Sequence, residues 1–154
     1  MDTKKITGMV SANRDTIALY RFIYQKAQLG MGTLGKIHPI NGCDNINKIL
    51  IGQRKGYTAI LRDAANALAL CGVRPCGMSA YEKLRTCLMI RLNTVNGKDT
   101  SHTIGYLITA VTHSWIDGAK ARNQFQMANE ESKALLERLL RYQEAECRKL
   151  KEFL

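Results

Sequence analysis

No stretch of this chain approaches the roughly eighteen consecutive apolar residues that a membrane-spanning helix requires. Even the most apolar segment, residues 104–111, is interrupted by Gly105 and Thr109 and soon followed by His113 and Asp117. A membrane span is therefore not expected. Close cysteine pairs are also missing. Cys43, Cys71, Cys76, Cys87 and Cys147 make an odd number, and no charged-then-apolar leader precedes them. The expectation is a reduced, cytoplasmic protein without a disulfide framework.

Catalytic equipment is equally scarce. His38, His102 and His113 are scattered, and a lone histidine is more often solvated or hydrogen-bonded than a base. Cys71, Cys76 and Cys87 have no nearby histidine, so they read as small buried hydrophobes and not as metal ligands. The segment GTLGK resembles a phosphate-binding loop only faintly. Gly32 and Gly35 stand too close together, and Ile37 follows Lys36 where serine or threonine is needed. The acidic residues of the body are too dispersed for a carboxylate pair. These absences point to a protein that is not an enzyme and that uses no cofactor or metal.

What the chain has in excess is positive charge: 23 Lys and Arg against 13 Asp and Glu in 154 residues, a net +10. The excess is graded. Basic residues outnumber acidic ones by four in 1–43, three in 44–78, two in 79–101 and one in 102–127, while 128–154 holds six of each. A basic body, 1–127, is thus distinguished from a neutral C-terminal segment, 128–154, within a single domain. Such a body attracts polyanions through its long-range field. With 45% hydrophobic residues the chain has enough apolar surface for one core.

Periodicity makes the fold all-α, with five to six helices packed as a compact bundle and a long amphipathic helix at the C-terminus. Asn13 or Asp15 caps a first helix with Ile17, Tyr20, Tyr24 and Ala27 on one stripe, closed by Gly30. Residues 31–43, with three glycines and a proline, then read as a loop. From Asp44, the positions Ile46, Leu50, Gln53, Tyr57, Ile60 and Ala64 keep spacings of four and three across Gly52 and Gly56. Either one long helix tolerates both glycines, or GQRKG is a turn with Arg54 and Lys55 at its tip. On one helix, Lys48, Lys55 and Arg62 would line the face opposite the apolar stripe over about 21 Å. An ordinary solvated face would look the same.

Residues 67–85 carry parts of a helix-turn-helix unit: a small-residue helix, Gly72, and Arg74, Lys83 and Arg85 free to meet DNA. Pro75 and Gly77 fall where the second helix should already run, and Ser79 is a better cap for a separate helix over 79–97. A further helix follows from Thr100 or Ser101. Its Ile104, Leu107, Ile108, Val111 and Trp115 are expected at the centre of the core, before Gly118 breaks it.

Residues 128–154 contain no glycine or proline, and Leu136, Leu140, Gln143, Cys147, Leu150 and Leu154 recur at spacings of four and three. Such a seam serves one of two ends. It associates with a second copy, Gln143 pairing across the contact, or it packs onto the chain's own helices. The association reading makes the protein a homo-oligomer. The functional expectation is a small regulatory protein binding nucleic acid through Lys48, Arg54, Lys55, Arg62, Arg74 and Lys83. The alternative is an adaptor, inhibitor or assembly subunit whose basic surface docks on an acidic partner protein.

Overall fold

Side-chain oxygens at the helix starts set where the helices begin. The computed structural model describes residues 13–35, 37, 44–75, 77 and 100–154. Within them α1 spans Arg14–Gly35, α2 Asp44–Leu70, α3 Thr100–Gln124 and α4 Glu130–Lys151. Asn13 caps α1, its Oδ1 accepting from the Thr16 backbone N at 2.9 Å. Asn129 does the same for α4, accepting from Ser132 N at 2.9 Å. The two caps are joined. Thr16 Oγ1 accepts from Asn129 N at 2.9 Å, and Asp15 Oδ2 accepts from Met127 N at 3.1 Å. The turn between α3 and α4 is thereby fastened to the first turn of α1, and backbone donors left over by the turn find partners.

The class is all-α, and no strand occurs among the described residues. Four helices stand among them, in place of five or six. The helix expected over 79–97, and with it the second half of the helix-turn-helix reading, lies outside the described residues. The helix ahead of it ends as expected. Gly72 adopts φ 71°, Val73 N donates to Leu68 O and Gly72 N to Ala69 O, each at 3.0 Å, which closes α2 with a Schellman motif.

Helices that adjoin around the bundle run antiparallel. Thr58 Oγ1 donates to Met31 Sδ between α2 and α1, Arg138 meets Asp63 between α4 and α2, and Arg122 meets Glu137 between α3 and α4. Around the bundle the order is α1, α2, α4, α3; α1 and α4 touch across the middle, while α2 and α3 do not meet among the described residues. One apolar cluster draws on all four helices, with Leu19, Ile23, Leu136, Leu150 and Ile104 among its most deeply buried members. Burying each such side chain contributes on the order of 1.5–3 kcal/mol.

Three expectations about glycines and the core need correction. Helix α1 does not close at Gly30 but runs on to Gly35, taking in the first five residues of the expected loop. A Cβ on Gly30 would stand 2.7 Å from the Tyr57 ring, so the glycine marks the place where α2 presses against α1. Gly118 likewise does not break α3. It is buried inside the helix, and a Cβ there would come within 2.6 Å of Leu140 Cδ2. Nor is α3 the central helix. Ile104 and Leu107 are buried as expected, but Ile108, Val111 and Trp115 are only partly covered, and the Trp115 indole donates to Glu144 Oε1 at 3.0 Å at the bundle's edge. Apart from Ile104, the fully buried large side chains belong to α1, α2 and α4.

Candidate polyanion-binding face

The face is built by the inner side of α2 as much as by its outer one. Ile46, Leu50, Gln53, Tyr57, Ile60 and Ala64 are all buried, so every position of the expected stripe points inward and the helix has one fixed rotation. Of the two architectures left open by the sequence, the uninterrupted helix is present. Gly52 is exposed with open space around it, whereas the Tyr142 ring lies directly over Gly56 and would collide with any Cβ. The segment GQRKG is accordingly a helical turn and presents no loop tip.

Fixing the stripe inward forces Lys48, Lys55 and Arg62 outward, and all three are exposed. They stand seven residues apart, in a line about 21 Å long at 1.5 Å per residue. Among the described residues no carboxylate pairs with Lys48, Arg54 or Lys55. Arg62 Nε lies 3.6 Å from Asp63 Oδ1, but the stronger claim on Asp63 is that of Arg138, whose Nη1 reaches Oδ2 at 2.5 Å. The Arg138 hydrogen bond holds the Asp63 carboxyl below the usual carboxylate range, with the charges of Arg138 and Arg62 adding to the effect. Asp63, at one end of the row, is thus shared with α4, while exposed Asp44, one turn before Lys48 at the other end, forms no ion pair among the described residues. Sequence reading could not find Arg138, because its partner lies 75 residues away.

Arg54 is exposed but stands apart from the line. Its guanidinium carbon is 3.5 Å from where a Cβ on Gly35 would be, at the end of α1, whose last turn contains no basic residue. A cation there complements the helix dipole, typically by about 0.3–1 kcal/mol. Arg74 is exposed in the segment after α2, beyond the row, and Lys83 lies outside the described residues.

No family model, curated protein or solved structure matches this chain. Its chemistry has to be read from its own groups. No helix among the described residues is long and apolar enough to cross a membrane.

Beneath the row lies a polar seam. The Tyr142 hydroxyl donates to the Gln53 carbonyl at 2.7 Å, and the Tyr57 and Tyr142 rings meet edge to face at 5.2 Å. Burial pushes the Tyr57 hydroxyl up to about 12, opposed by the Gln143 amide and helped by the charge of Glu146. Tyr142 is raised too, by burial first and then by Glu146 and Tyr57. Gln143 Nε2 donates to Ser114 Oγ at 2.8 Å, so this side chain bridges α4 to α3 while lying against Tyr57 of α2. The seam expected to join two copies is therefore occupied at home. Leu136, Leu140, Gln143 and Leu150 are buried within the chain, Cys147 is half-buried, and only Leu154 is exposed. Of the two uses of the stripe, the fold makes the internal one.

Proposed function

We propose that this chain is a small basic helical protein of regulatory type that binds nucleic acid through phosphate contacts on the outer face of α2. One observation carries the proposal: a single helix holds Lys48, Lys55 and Arg62 in an exposed line, in which Lys48 and Lys55 have no ion-pair partner among the described residues and the acid next to Arg62 is shared with Arg138. Exposed cations held at fixed spacing release counterions from a polyanion on contact, and this supplies affinity without sequence readout. Arg54 and Arg74 add field rather than register. Self-association through α4 has no part in the proposal, because its leucines are committed to the core.

The test replaces Lys55 and Arg62 with alanine and measures binding to nucleic acid at low and moderate salt. Affinity should fall by a similar factor on unrelated sequences, and the slope of log affinity against log salt should flatten by about 2. Binding indistinguishable from the unmodified chain would remove this face as the site. If the unmodified chain fails to bind at low salt, the same row is left for an acidic protein partner, and its substitution would then slow association.

A further inference from the structure

Resting on the nucleic-acid proposal, we infer that the face includes a second basic row, on α4, and that it grips the two phosphate rows flanking one groove of a double-stranded nucleic acid. By sequence the segment 128–154 that contains α4 is neutral, which hides the row. The fold separates its charges. Glu137 is drawn to Arg122 of α3 at 3.2 Å, Glu144 accepts from the Trp115 indole of α3 at 3.0 Å, and Glu146 is buried with Lys149 at 2.9 Å. Of the other acids, Glu130 and Glu131 lie in the first turn and Glu152 caps the last. Between these ends Arg138, Arg141 and Arg148 remain exposed, on the side turned away from buried Leu136, Gln143 and Leu150.

The two rows meet at Asp63, which both Arg62 and Arg138 contact. Because α2 and α4 are antiparallel, the rows run side by side from that point, Lys55 and Lys48 on one flank, Arg141 and Arg148 on the other. Packed helices lie about 8–10 Å apart. Small residues, exposed Gly52 on α2 and half-buried Ala145 on α4, stand between the rows and leave room for a backbone to approach. Two cation rows at fixed separation match two phosphate rows at fixed separation, whereas a lone strand offers one. The single-strand alternative also lacks a stacking platform here. Tyr57 is buried, and Tyr142 is held over Gly56 with its hydroxyl turned in to Gln53.

The experiment uses the full chain and fluorescence anisotropy. Its probes are two unrelated DNA duplexes of about 30 base pairs and their separated strands, at about 50 and about 200 mM salt. The duplexes should bind within about threefold of each other and the single strands at least about tenfold more weakly. Replacing Arg141 and Arg148 with alanine should flatten the duplex salt slope by about 2, with helical circular dichroism unchanged. Single strands binding as tightly as duplexes would overturn the inference and leave the proposed function standing. So would an unaltered slope in the α4 variant of a chain that binds. Absence of binding to every probe would overturn both.

Discussion

Two glycines four residues apart on α2 should respond oppositely to the same substitution. At Gly52 the added methyl meets open space, so Gly52→Ala should stabilise by up to about 1 kcal/mol through helix propensity and a less flexible unfolded chain. At Gly56 it meets the Tyr142 ring, which is held by its bond to Gln53 and its contact with Tyr57. Gly56→Ala should therefore destabilise, by about 1–3 kcal/mol as overpacking typically costs. Denaturant midpoints of the two variants decide the matter, and equal effects would mean that Tyr142 does not define the α2–α4 contact. Buried tyrosine also sets an alkaline limit. The folded Tyr57 hydroxyl titrates near 12, above its usual value near 10, so the folded state keeps a proton that the unfolded chain gives up. Stability from this group is complete below about pH 10 and is lost as the pH rises towards 12, by on the order of 2 kcal/mol. Tyr142 acts in the same direction. Comparing unfolding at moderate and high pH in Tyr57→Phe should show a shallower fall than in the unmodified chain.

Individual elements were legible in the sequence to the extent that their own residues decide them. The inward face of α2 could be read position by position, because seven-residue spacing of apolar groups leaves one way to turn the helix. Its outward basic row followed from the same spacing. The extents of α1 and α3 could not be read. A glycine inside a helix either ends it or admits a neighbour, and the neighbours of Gly30 and Gly118 are Tyr57 and Leu140, 27 and 22 positions away. The C-terminal seam was visible as apolar, but no pattern within it says whether its partner is another copy or the chain itself. The structure places that partner in α1, α2 and α3. Changing Leu136 and Leu140 together to glutamate should accordingly unfold the chain instead of dissociating an assembly, since two charges would enter a core where both side chains are at most 3% exposed. Loss of the helical spectrum is the expected result, and a folded double variant would contradict the packing of α4.

At the scale of the whole molecule, a net charge of +10 is a property of composition, while a binding face is a property of how the fold distributes that charge. Acids and bases are interspersed along α4, and the bundle sorts them, turning Glu137 and Glu144 towards α3 and leaving arginines outward. Such sorting depends on which helix lies beside which, and so the charge gradient along the chain, which falls to zero over 128–154, pointed away from α4. The most direct measurement is the salt dependence of nucleic-acid binding by the unmodified chain and by the variant in which Lys48, Lys55 and Arg62 are all alanine. If the α2 row meets phosphates, log affinity falls linearly with log salt, and the triple variant loses about 3 units of that slope. A slope that is the same in both chains, or no binding at the lowest salt, would contradict the account.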